Sequence, residues 1–123
     1  MRTVLFASLV TAFCACSAPK NTWIEKFEPQ FTAVLCVPEQ LFLQCFEIDE
    51  QRCKQVLGAH VRTCTAEVRD QIPDRMSKQD GEKFGGMIGE CAATRAEIQL
   101  AGETKRRNDP RCSDPTAWTK GFQ

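Results

Sequence analysis

Residues 49–72 read DEQRCKQVLGAHVRTCTAEVRDQI, and this stretch decides the fold. Stepping about 100° per residue from Cys53, the side chains of Val56, Leu57, His60, Val61, Cys64, Val68 and Ile72 fall within an arc of roughly 160°. Arg52, Arg62, Arg69 and Asp70 lie outside that arc. The spacing predicts an amphipathic helix. Asp49 suits its N-cap, because a carboxylate there accepts from backbone N–H groups left unpaired in the first turn. Pro73 cannot donate into a continuing helix, so the helix ends near Ile72. Cys53 and Cys64 share one face, about three turns and ~16 Å apart along the axis. A disulfide needs Cα atoms at roughly 4.4–6.8 Å, so the two bond outward to other segments.

The chain has 123 residues, which suits one domain. Residues 1–15, MRTVLFASLVTAFCA, carry Arg2 and then an apolar run too short to span a bilayer. They read as a secretory signal peptide. Phe13-Cys14-Ala15-Cys16 resembles the lipobox of bacterial lipoproteins, although Phe13 and Cys14 depart from its usual residues. The short, polar, proline-bearing run that follows suits a tether over 16–21 ahead of a single helical domain over 22–123, and the lipobox resemblance implies lipidation at Cys16. It places the protein in the bacterial envelope, anchored to the membrane by its N-terminal lipid, in the periplasm or at the outer membrane. Plain secretion is the other expectation. The remainder of the chain carries no motif that ties it to a family.

Without residues 1–15 the chain has 15 basic and 16 acidic residues, so it has no excess positive charge to hold nucleic acid. Six cysteines remain beyond Cys14 and Cys16: Cys36, Cys45, Cys53, Cys64, Cys91 and Cys112. An even number in an exported chain implies three disulfides. The only histidine is His60 and no CxxC pair exists, so no metal site is expected.

Four helices are expected, at about 22–36, 38–47, 49–72 and 81–101. Together they form an all-α, disulfide-stapled bundle with an irregular C-terminal tail. Trp23, Ile24, Phe27, Phe31, Val34 and Leu35 recur at helical steps in the first. Pro29 either starts that helix or kinks it. Pro38 opens the second helix, whose apolar face holds Leu41, Phe42, Cys45, Phe46 and Ile48. Ser77 or Asp80 can cap the last, which carries Phe84, Ile88, Cys91 and Ile98 on one side. Gly85, Gly89 and Ala92 form a small-residue strip there. Glycine costs roughly 1 kcal/mol against alanine in a helix interior, so close packing or a ligand contact must offset it.

An antiparallel hairpin of the last two helices sets Cys64 opposite Cys91. The same register sets Cys53 near residue 100, within reach of Cys112 through the tail, which leaves Cys36 for Cys45. Cys36–Cys53 with Cys45–Cys112 is the alternative pairing.

No nucleophile–His–acid set, HExxH, phosphate-binding glycine loop or EF-hand loop is present, and no cofactor is implied. His60 on the apolar face reads as a core or boundary imidazole, and the protein is not expected to be an enzyme. Charge suggests one candidate binding surface. Glu47, Asp49 and Glu50 lie in a stretch devoid of Lys and Arg, and Lys105, Arg106 and Arg107 can fold back over it. The function expected is binding of a protein partner in the envelope, in the manner of an inhibitor or immunity-type protein. A structural accessory lipoprotein and a carrier of an apolar ligand are the alternatives.

Overall fold

The computed structural model describes residues 17–104 together with residues 107 and 112. Asp49 caps the central helix as its position suggests: its Oδ1 accepts from the Arg52 N–H at 2.7 Å. That helix, here α3, runs Glu50–Val68 and continues as a 3-10 turn at Arg69–Gln71 before Pro73. Ahead of it come α1 (Lys20–Leu35) and the short α2 (Leu41–Cys45). After it comes α4 (Lys78–Glu103), the longest helix at 26 residues. The protein is a small all-α bundle stapled by three disulfides.

The helix ends have identifiable causes. Ser77 and Asp80 form a reciprocal capping box at the start of α4, each side chain accepting from the other's backbone N–H. This starts the helix three residues earlier than expected. α1 passes through Pro29 without ending. Pro29 faces solvent, and the Thr32 hydroxyl donates to the Glu28 carbonyl at 3.0 Å beside it. α2 is only five residues long, shorter than the 38–47 expected.

One departure concerns the tether. Residues 18–21 belong to the fold: Ala18–Pro19 (β1) pairs antiparallel with Arg75–Met76 (β2), with Ala18 opposite Met76 and Pro19 opposite Arg75. The Lys20 N–H then donates to the Asp74 carbonyl at 2.9 Å. The polar run after Pro73 is thus half of a two-stranded ladder. Residues 1–16, with the expected signal peptide and Cys16, lie outside the described residues.

The core is formed where α1 and α4 meet α3. Phe31, Leu35, Phe42, Phe46, Val56, Leu57, Val61, Ile88 and Leu100 are all buried. Trp23, Phe27 and Phe31 stack along α1 with ring centroids 5.0 and 5.3 Å apart. This ladder stands against Gly81, Gly85 and Gly89 of α4, which share its four-residue spacing. A Cβ at each glycine would lie 3.4 Å from Trp23, 3.3 Å from Phe27 and 2.8 Å from Phe31. The small-residue strip therefore exists to admit aromatic rings.

Cys64 bonds Cys91 across the α3–α4 hairpin, as its register predicts. The other two bonds are Cys36–Cys53 and Cys45–Cys112, so the assignments Cys53–Cys112 and Cys36–Cys45 are corrected. Cys36 sits one residue past α1, which lies against α3 and brings it to Cys53. The tail docks elsewhere: the Arg107 N–H donates to the Cys45 carbonyl at 2.8 Å. That delivers Cys112 to the end of α2 rather than to α3.

Candidate functional site

The buried side of α4 is made largely of small residues: Gly85, Gly89, Ala92, Ala93 and Ala96 join Phe84, Ile88 and Leu100. Ile98, expected on that side, is instead 68% exposed, and Met87 is 41% exposed. Both stand on the opposite, outward face. Met87, Glu90, Cys91, Thr94 and Arg95 line an open recess of about 480 Å³ on that face. Ile98 follows Thr94 one turn further along.

The floor and rim of this recess are fixed. Cys91 ties its helix to Cys64, which is buried in α3. Arg95 donates two hydrogen bonds to Glu67, at 2.8 and 2.9 Å, from one helix to the other. Those bonds hold the Glu67 carboxyl below the usual carboxylate range and raise the Arg95 guanidinium. Both side chains are well exposed, so the pair orients the rim more than it stabilises the fold.

A second recess, about 310 Å³, lies at the start of α3 between Asp49, Gln51, Arg52 and Gln55. It is polar. Arg52 donates to Gln55 at 2.8 Å and pairs with Glu103 at 2.6 Å. The other Glu103 oxygen accepts from Gln99 at 2.8 Å, whose Oε1 meets His60 Nε2 at 2.7 Å. Gln99 and then Arg52 hold the Glu103 carboxyl below its ordinary range. His60 is half-buried and tied into a line of hydrogen bonds along the α3–α4 seam.

The charged surface expected from the sequence is divided among these roles. Asp49 is a helix cap, and Glu50 pairs with Lys54 one turn on at 2.9 Å. Glu47 is exposed at the end of α2. Arg107 is exposed while its backbone N–H is bound to Cys45. Lys105 and Arg106 lie outside the described residues. The basic side chain paired with this stretch is thus Lys54, while Arg52 turns to Gln55 and Glu103. Among the described residues, no group of three or more His, Cys, Asp or Glu side chains is placed to hold a metal ion.

Residues 17–103 match the family described as T2SS substrate NttA, T2SS being the type II secretion system. The chain belongs to this family. Neither a curated protein nor a solved structure matches it. The family match corrects two expectations. The body of the chain does have a family, and it is one described as a secretion substrate. The match begins immediately after Cys16, at the first described residue: the Ser17 hydroxyl accepts from Arg75 and β1 follows at once. The lipobox resemblance of residues 13–16 has no support in it. The protein is a small, secreted, disulfide-bonded helical protein of this family. Among the described residues, no helix is long and apolar enough to cross a membrane.

Proposed function

We propose that this secreted protein acts by binding another protein through the outward face of α4. One observation carries the reading: Met87 in the recess and Ile98, one turn beyond Thr94, are exposed on one face of a helix that the Cys64–Cys91 bond holds from behind. Protein interfaces combine an apolar centre with a polar rim, and Met and Arg are enriched in them. Glu90, Thr94 and Arg95 supply that rim here. The Cys64–Cys91 bond behind the face keeps it in one shape, which lowers the ordering cost of association. A blocking role, as of an inhibitor or immunity-type protein, needs no catalytic group and suits such a platform.

The carrier alternative draws less support. Phe31, Phe42, Phe46 and Leu57 fill the middle of the bundle, and both recesses open to the surface. A photo-crosslinking residue at position 94 tests the proposal in cultures that secrete the protein. A single crosslinked protein is expected, and it should vanish when M87D and I98D are added. Crosslinking that survives both charges, or none with any protein, would reject this face as the binding surface.

A further inference from the structure

We infer that this protein is a substrate of a disulfide isomerase, a dithiol–disulfide exchange catalyst, on its way to the native state. Taken along the chain, its six bonded cysteines are paired first with third, second with sixth, and fourth with fifth. Cys45 therefore lies inside the loop closed by Cys36–Cys53 and must be left unpaired until Cys112 arrives, 67 residues later.

Chain statistics work against that outcome. Closure probability falls roughly as the three-halves power of loop length. Cys36 and Cys45 are nine residues apart, and Cys45 and Cys53 are eight. An unfolded chain closes either short loop about 20-fold more readily than the Cys45–Cys112 loop. It closes each about 3-fold more readily than the native Cys36–Cys53 loop. Export makes the bias stronger, because Cys45 emerges long before Cys112. A non-selective oxidant acting on the emerging chain thus forms Cys36–Cys45 or Cys45–Cys53 first.

The structure shows why the error must be corrected before folding is complete. Cys36, Cys45 and Cys53 are each at most 1% exposed. The tail docks directly on Cys45 through the Arg107 N–H. Once the core has closed, no external thiolate reaches these sulfurs.

The chemistry balances as follows for a Cys36–Cys45 error. The isomerase thiolate attacks Cys36 Sγ, forms a mixed disulfide and releases the Cys45 thiolate. The Cys53 thiolate then attacks Cys36 Sγ, forms the native bond and expels the isomerase thiolate. No net electrons move in this exchange. A disulfide oxidant, such as oxidised glutathione, afterwards takes two electrons and two protons from Cys45 and Cys112 to make their bond and is itself reduced to two thiols. The same two-electron oxidation makes Cys64–Cys91, whose partners are neighbours among the cysteines.

The test is oxidative refolding of the full chain carrying C14S and C16S, so that only the six bonded cysteines react. Disulfides are mapped by mass spectrometry after alkylation at successive times. With a chemical oxidant alone, Cys36–Cys45 and Cys45–Cys53 species should accumulate and native yield should stay several-fold below that reached with protein disulfide isomerase in a glutathione buffer. Adding C45S and C112S leaves two bonds between successive cysteines and removes both strongly favoured short loops, so the isomerase dependence should fall several-fold, Cys53–Cys64 remaining as the short-loop error. Direct formation of all three native bonds by oxidant alone, without short-loop species, would overturn the inference. So would an undiminished isomerase requirement in the C45S/C112S variant. If that variant does not fold, the trapped species of the six-cysteine chain decide the matter alone.

Discussion

The ring of Phe31 occupies the space that a Cβ on residue 89 would need: the two would be 2.8 Å apart. Phe31 is 1% exposed and is stacked on Phe27, so it has no room to retreat. Gly89→Ala is therefore expected to destabilise the protein by about 1–3 kcal/mol, the usual range for overpacking a core. Gly86, three residues earlier on α4, meets nothing within 4 Å. Gly86→Ala should instead stabilise by about 0.5–1 kcal/mol through helix propensity. Urea denaturation compares the two midpoints at unchanged slope. Shifts of the same sign would contradict the packing of the aromatic ladder on α4.

That ladder also explains what the sequence did and did not make legible. The limits of α3 could be read because an N-cap acid, a clean apolar face and a proline agree over 49–73. Cys64–Cys91 could be read because a short loop fixes the register of a helical hairpin. α4 misled, since its core side is lined by Gly85, Gly89, Ala92 and Ala96 while larger Met87 and Ile98 face outward. Apolar size points the wrong way when rings from a neighbouring helix fill the space. Trp23, Phe27 and Phe31 at four-residue steps were the available signal for it. The pairing of Cys36 and Cys45 depends on where the tail docks, which no local pattern encodes. The outward recess could not be found by residue type, because a lone Met and Ile on a helix ordinarily belong to the core.

The capping box gives a second expectation. Ser77 and Asp80 satisfy each other's backbone N–H at 3.1 and 3.0 Å at the mouth of a 26-residue helix. Ser77→Ala should cost about 1 kcal/mol. Hydrogen exchange should show the loss chiefly as faster exchange in the first turn of α4, next to the β1–β2 ladder. Uniform acceleration along the whole helix, with no extra effect at its start, would argue against a local cap.

Acid should weaken the fold for a definable reason. Glu67 is held below its ordinary value of 4.5 chiefly by the Arg95 hydrogen bonds. Glu103 is held below the same value by Gln99 and then Arg52. Asp80 is held below 3.8 by the Ser77 backbone N–H and then its hydroxyl. All three bind protons more weakly folded than unfolded. Their contribution is complete above the ordinary carboxylate values and is lost as pH falls through the lowered folded ones. The urea midpoint should therefore fall between about pH 5 and about pH 2, and less steeply when Glu67→Gln and Glu103→Gln are combined. A midpoint that is flat or rises on acidification, or an unchanged slope in that variant, would remove these three carboxylates as the cause.

The Cys64–Cys91 bond closes a loop of 27 residues, for which the chain-entropy account gives about 3–4 kcal/mol. Replacing both cysteines by serine should lower stability by about that amount while leaving the α3–α4 hairpin recognisable. Arg52–Glu103, His60–Gln99 and Glu67–Arg95 still join the two helices at three levels. The core residues Leu57, Val61, Ile88 and Leu100 are untouched by the change. Circular dichroism in buffer should thus retain the helical signal, with cooperative unfolding at lower urea. The outward face should lose rigidity, because Cys91 is the recess residue tied to buried Cys64. Hydrogen exchange around 87–95 should rise more than in the first turns of α3. Loss of the helical signal in buffer, or equal loosening everywhere, would mean that the bond maintains the whole bundle rather than this face.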